Sequence, residues 1–236
     1  MTDPATTLSS DMHPEPPFAR HREVALVGCS VLALFFAVSA RRFLVNGIGT
    51  AFRLTDIGLI GTLATEIVLA AIWLPILRQR GWAVRHLGRP YENLDLLRGI
   101  SLACGAWVAY ILAYNVAFFV SPAFALRLNA FRPTGTVSWL TVVALAMLNP
   151  VFEETLYEGY IVNALRRSGW AVALGASVAV RVALHVYQGP VALVSILPTG
   201  LLFTGYYLRT RRLWPLVAAH MLLDVVALAP YAHGLA

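Results

Sequence analysis

The sequence predicts an all-α, polytopic helical membrane protein of about seven transmembrane helices, with a polar site in its C-terminal half. Three observations predict this. Of 236 residues, 58% are hydrophobic and 13% charged, against a charged fraction of roughly 25% in ordinary soluble domains, and the mean hydropathy is +0.69. The apolar residues come in runs of the length that crosses a ~30 Å hydrocarbon core, roughly 20 residues each. The ionisable residues inside those runs recur at helical spacing.

The first 22 residues hold four prolines and no apolar periodicity, which predicts a disordered tail over 1–22. No basic start leads directly into the first apolar run, and no convincing small-residue cleavage site follows. That run is therefore expected to stay as an anchor rather than leave as a signal peptide. Spans are expected at about 24–40, 57–77, 100–121, 137–157, 169–187, 190–208 and 213–232. Residues 43–55 are read as interfacial; if they cross, the count is eight. No internal repeat or low-complexity linker divides the chain, so 23–136 reads as a set of N-terminal transmembrane helices continuous with a helical core over 137–233. Cys29 and Cys104 both lie in apolar runs without metal-ligand spacing, and packing is their expected role.

Seven spans put alternate loops on opposite sides. One side takes Arg20, Arg22, Arg78, Arg80, Arg85, Arg89, Arg98, Arg166, Arg167, Arg209, Arg211 and Arg212. The other takes Arg41, Arg42, Arg53, Arg127 and Arg132, and Arg181 falls within a span. The positive-inside rule then places the N-terminus in the cytoplasm. All 18 basic residues are arginine, a feature of GC-rich genomes, so a bacterial inner membrane is the expected location. The net charge of +6 sits in short loops beside apolar spans. Lipid headgroups, not nucleic acid, are the expected partner.

An ionisable side chain near the bilayer centre costs at least ~2.5–3.5 kcal/mol and reads as functional by default. Glu66 lies in the second span and Glu153, Glu154 and Glu158 in the stretch NPVFEETLYEGY of the fourth. Arg181 and His185 lie in the fifth, His220 and Asp224 in the last. Residues four apart share a helix face, so Glu154 pairs with Glu158, Arg181 with His185 and His220 with Asp224. The bundle interior is the economical destination for all three pairs. Close carboxylates and imidazoles there meet the condition for general acid–base work. Alone, Glu66 reads as a structural hydrogen-bonding group, Asp224 as a partner for a neighbouring helix and His220 as a loop cap. Together the three motifs read as a site.

Glu153-Glu154-Thr-Leu-Tyr-Glu158, Arg181-Val-Ala-Leu-His185 and His220-Met-Leu-Leu-Asp224 resemble, in order, the signature of the CPBP or Abi intramembrane proteases: EExxxR, FxxxH and HxxxN/D. That family includes the type II CAAX prenyl proteases and bacteriocin-processing proteins. The resemblance covers roughly 137–229 and makes 137–233 a CPBP-like catalytic core. It implies a glutamic-type intramembrane endopeptidase without cofactor, acting on a membrane-anchored peptide or protein. By that resemblance Glu153 and His185 hold and deprotonate the attacking water, Glu154 supports the site, and His220 and Asp224 stabilise the tetrahedral oxyanion. Two residues depart from the signature. Glu158 stands where the family has arginine, and Arg181 where it has an apolar or aromatic residue. The expectation is that the charge has changed helices, with Arg181 pairing with Glu158 or Glu154 in support of the site. Asp224, as a carboxylate, accepts hydrogen bonds and cannot donate to an oxyanion; it is either protonated or orients His220.

Three other readings compete. Two histidines and two carboxylates could ligate zinc, although no HExxH is present and no two histidines share a turn. A proton-coupled transporter or channel could use the same groups as a relay, although no inverted repeat is evident. A non-catalytic scaffold or immunity-type protein could keep the fold. At ~1.5 Å per residue, Glu153 lies ~20 Å from Arg166 along its helix and His220 ~12 Å from Arg212. A kink at Pro150 and helices projecting beyond the membrane would bring these to one level, in a water-filled cavity expected to open to the cytoplasm.

Overall fold

The computed structural model describes residues 21–46, 53–124, 128, 133–188 and 191–233. The expected N-terminal tail lies almost entirely outside these residues, as do 47–52 of the expected interfacial segment and Arg127 and Arg132. Helices account for the seven expected spans: α1 (His21–Asn46), α2 (Asp56–Gln79), α3 (Leu94–Val120), α4 (Trp139–Glu154), α5 (Trp170–Leu184), α6 (Val191–Thr210) and α7 (Trp214–Leu228). Local chemistry sets their starts. The Thr55 hydroxyl accepts from the Gly58 N–H at 3.1 Å to cap α2, and Ser138 accepts from the Thr141 N–H at 3.2 Å to cap α4. Pro215 occupies the first turn of α7, where its missing N–H costs nothing.

The chain is a polytopic helical membrane protein. Among the described residues, Asp56–Gln79, Leu94–Val120, Trp139–Ser168 and Trp214–Tyr231 are long and apolar enough to cross a membrane. Their outer faces are apolar and exposed, as at Ile60, Ile67 and Leu74 on α2 and Leu112, Val116 and Phe119 on α3. Such a surface is soluble only in lipid. Cys29 and Cys104 sit on exposed faces of α1 and α3, which corrects the packing role expected of them. A thiol is apolar enough to face lipid.

Two helices interrupt this pattern at the level where the polar groups lie. After Glu154, α4 continues as a π-helix, Thr155–Val162, before a last turn at Asn163–Leu165. π-segments are rare and concentrate at functional sites. α5 has 15 residues, ~22 Å at 1.5 Å per residue. It ends at Leu184, and His185 follows in a turn rather than inside the span. Non-helical backbone at membrane depth is tolerated where it lines a cavity, and His185 and Gln188 both line one.

The ends of the bundle differ. At the arginine-rich end, residues 80–93 form a cap. The Asn163 amide donates to the His86 carbonyl at 2.9 Å, the Tyr207 hydroxyl to the Leu87 carbonyl, and the Arg89 N–H to the Arg211 carbonyl at 2.8 Å. Trp82 donates to Glu23 of α1 at 3.3 Å. Gly88, at φ 154°, lets the two backbones meet, because a Cβ there would sit 2.8 Å from the Arg211 carbonyl oxygen. Asp95 accepts from Arg98 at 2.6 Å and from Arg212 at 3.2 Å, and Arg212 also pairs with Glu92. At the other end the only strand pairing among the described residues is slight: β1 (Val137–Ser138) runs parallel to β2 (Ala232–His233), and Arg53 bridges to Thr134.

Candidate active site

A cavity of about 490 Å³ runs between α2, α3, α4, α5, α6 and α7. Its inner part is lined by Asn149, Glu153, Arg181, His185, His220 and Asp224; its outer part by Arg53, Leu54, Thr55, Pro133 and Tyr231. Among the described residues the lining therefore extends toward the end away from the capped, arginine-rich loops. This departs from the sequence expectation of an opening beside the arginine-rich, cytoplasmic loops. Distance along a helix fixes the depth of a residue but not the end to which a gap leads, and the gap lies where α2 and α6 begin and α7 ends.

The adjacent glutamates have different surroundings. Glu153 lines the cavity; its Oε1 accepts from the Asn149 amide at 3.3 Å, and its Oε2 has no hydrogen-bond partner among the described residues. Asn149, one turn earlier on α4, also donates to Glu66 of α2 at 2.5 Å. One amide thus ties both carboxylates together, and Glu66 fills the structural hydrogen-bonding role expected of it.

Glu154 is fully buried and is not part of the cavity wall. Arg181 of α5 grips it with two bonds, Nη1 to Oε1 at 2.8 Å and Nη2 to Oε2 at 2.6 Å. This is the bidentate fork that makes arginine–carboxylate pairs strong. The His220 Nδ1–H donates to the same Oε1 at 2.7 Å. The Glu158 Oε1 lies 3.5 Å from Arg181 and accepts from Thr204 at 2.8 Å and Ser177 at 3.2 Å. The carboxylate in the family's arginine position therefore has a cation and two hydroxyls around it. Arg181 stacks over the Tyr157 ring at 4.4 Å and faces Phe203 at 5.5 Å, within cation–π range.

The histidines are held in definite senses. His185 Nδ1 lies 2.8 Å from the Arg181 carbonyl. A carbonyl only accepts, so Nδ1 carries the proton and Nε2 the lone pair. His220 presents Nδ1 to Glu154 and Nε2 to Asp224, whose Oδ1 is 3.5 Å away. A ring with carboxylates at both nitrogens donates at both only as imidazolium. Asp224 thus sits beside the Nε2 edge of the His220 ring.

The structure brings Glu153, Glu154, Glu158, Arg181, His185, His220 and Asp224 into one cluster. Sequence reasoning missed Asn149, Ser177 and Thr204. The first two carried a usable signal, because each lies four residues before a motif residue, Glu153 or Arg181, and so shares its face. Thr204 carried none. Among the described residues no group of three or more His, Cys, Asp or Glu side chains is disposed to hold a metal ion.

Residues 135–226 match the family model described as type II CAAX prenyl endopeptidase, Rce1-like. The match contains every motif residue and leaves α1, α2 and α3, with Glu66, outside it. Comparisons with curated proteins and with solved structures returned no match. Over those residues the chain is similar to a CAAX-type protease domain.

Proposed function

We propose that this chain, carrying a CAAX-protease-like domain over 135–226, is a glutamic-type intramembrane endopeptidase. One observation carries the reading: Glu153, with an unpartnered carboxylate oxygen, and His185, with its lone pair on Nε2, line the same cavity. Two bases at one cavity wall can hold a water and remove its proton as the oxygen attacks a peptide carbonyl. The hydroxyl joins the carbonyl carbon, the amide nitrogen leaves with a proton returned from Glu153 or His185, and the products are a carboxylate and an amine. His220 Nε2–H stands on the same wall to donate to the tetrahedral oxyanion, where fixed donors act most strongly in a water-poor site.

In this reading the remaining residues position these groups. Arg181 holds Glu154, Glu154 holds His220 through Nδ1, and Asp224 faces the other ring nitrogen. Asn149, backed by Glu66, turns Glu153 so that its second oxygen stays available. Arg181 replaces, from α5, the arginine the family places one turn after Glu154. The cavity wall beyond the polar floor is apolar at Leu54, Leu59, Leu145, Ile196 and Leu223, which suits an extended, membrane-anchored peptide. The arginine distribution supports a cytoplasmic N-terminus in a bacterial inner membrane.

The test is a comparison of new protein N-termini in membranes from cells producing wild type, Glu153→Ala or His185→Ala at equal abundance. Termini present only with wild type are expected. Identical termini in all three would leave a non-catalytic scaffold. Cleavage abolished by a chelator and restored by zinc would replace the glutamic mechanism with a metal-dependent one.

A further inference from the structure

We propose that the capped end of the bundle holds the phosphate of an anionic phospholipid between cap and core, among Arg85, Arg89, Arg166 and Arg211. The proposal stands apart from the peptidase reading and needs no cleavage.

Three observations combine. The first is convergence. Tyr207, near the end of α6, is where cap and core meet: its hydroxyl donates to the Leu87 carbonyl and accepts from the Asn163 amide at 2.7 Å. The four arginines are rooted around this junction. The Arg211 guanidinium lies 5.2 Å from the centre of the Tyr207 ring. Arg166 follows Asn163 by three residues and so shares its face, and it acts electrostatically on the Tyr207 hydroxyl, as Arg211 does. Arg85 precedes His86, whose carbonyl accepts from Asn163 at 2.9 Å, and the Arg89 N–H donates to the Arg211 carbonyl at 2.8 Å.

The second observation is the backbone of Arg211. It follows the last residue of α6 with φ 59°, the left-handed conformation in which glycine commonly ends a helix and which other residues adopt uncommonly. A long side chain kept at such a position, against the local preference for glycine, points to a use for that side chain.

The third is charge and depth. Among the described residues the carboxylates at this end are Glu23, Glu92 and Asp95, and arginine outnumbers them, so the end is positive however its side chains pair. Trp170 and Trp214 are exposed and begin α5 and α7, a few residues after Arg166 and Arg211, and Tyr91 meets Trp214 edge to face at 6.4 Å. Aromatic rings at the ends of spans mark the headgroup level. That depth selects the source of the anion, because a lipid phosphate already stands there.

The consequence is a ligand that fastens the cap. Arginines of cap and core repel one another at close range. A phosphate between them turns repulsion into attraction, and the guanidinium fork matches its oxygens. Residues 80–93 are therefore held more tightly on the core when the lipid is bound.

The test uses the full chain in a neutral detergent, titrated with phosphatidylglycerol, phosphatidylcholine or inorganic phosphate. Retained lipid is counted by native mass spectrometry, and the melting temperature is followed in parallel. Phosphatidylglycerol is expected to be retained and to raise the melting temperature, and the other two are not. Arg89→Gln and Arg211→Gly should each weaken its retention roughly fivefold, the worth of one basic residue near an anionic headgroup; glycine at 211 keeps the backbone conformation, so that variant folds. Arg78→Gln, an exposed arginine on α2 away from Tyr207, should bind as wild type. Equal retention of phosphatidylcholine overturns headgroup recognition, and equal stabilisation by inorganic phosphate overturns the lipid as source. If Arg78→Gln weakens binding as much as Arg211→Gly, the attraction is spread over the whole end and the site is overturned.

Discussion

Glu153 and Glu154 are neighbours in the chain and belong to two different regions of the site. Glu154, with Glu158 and Arg181, forms a buried ion cluster closed by Ser177, Thr204 and the rings of Tyr157 and Phe203. Glu153 belongs to the cavity wall with His185 and Asp224, and each of the two carboxylates there keeps an oxygen without a partner among the described residues. The difference teaches that a sequence motif can span two physical roles. One region pairs opposite charges away from the cavity and holds helices together; the other lines the cavity, where a reacting group must be.

The largest effect should come from the buried ion cluster. Arg181→Ala strands Glu154 and Glu158 together in a dry site, a situation that costs about 3–5 kcal/mol when one partner of a buried pair is removed. The expected outcome is a collapse in abundance and thermal stability in detergent. Arg181→Phe combined with Glu158→Arg should recover most of that loss, since it restores the family's arrangement. A double variant no more stable than Arg181→Phe alone would show that the charge has not simply changed helices.

Glu153→Gln should do the opposite. Abundance and melting temperature are expected to stay at wild-type values while cleavage of an identified substrate falls ~10²–10⁴-fold, the usual worth of a positioned general base. If stability fell with activity, the division between the two regions would fail. Asn149→Leu tests the link between Glu66 and Glu153. The variant loses two neutral-to-charged hydrogen bonds, each worth about 1.5–3 kcal/mol; loss of the one to Glu153 should lower cleavage by roughly one to two orders of magnitude, with Glu66→Gln milder because an amide can still accept from Asn149.

The smallest effect lies at the cap. Burial, with a lesser contribution from Arg85, holds the His86 imidazole below its ordinary pKa, and its Nδ1 accepts from the Ala83 N–H at 3.0 Å. A depressed pKa means that the unfolded cap binds the proton more readily. The stabilisation is therefore complete above the ordinary histidine range near 6.5 and is lost as pH falls through the lower folded value. Amide hydrogen exchange over 80–93 should rise on acidification and lose that pH dependence in His86→Gln.

Much of this was legible in the sequence because both helices and intramembrane charges write themselves as periodic patterns. The helices lie where the apolar runs put them, and the pairs at 154/158, 181/185 and 220/224 converge. The Arg181 partner could be anticipated from charge alone, since a lone arginine and an excess of glutamates in lipid must meet. What was not legible came from relations between helices. The π-segment after Glu154 has no residue signature, the hydroxyl of Thr204 approaches Glu158 from a helix without a motif, and the end at which the cavity opens depends on how α2, α6 and α7 splay.

Gly200 places a condition on how such a site can evolve. A Cβ at this position of α6 would come 3.3 Å from Cδ of Arg181 and 3.5 Å from Val178, so a larger residue crowds the guanidinium stem as it reaches for Glu154. In relatives that keep arginine one turn after the glutamate pair and a smaller or flatter group at position 181, that restriction is lifted. Position 200 and position 181 should accordingly change together down a lineage, with glycine arriving no later than the arginine it makes room for.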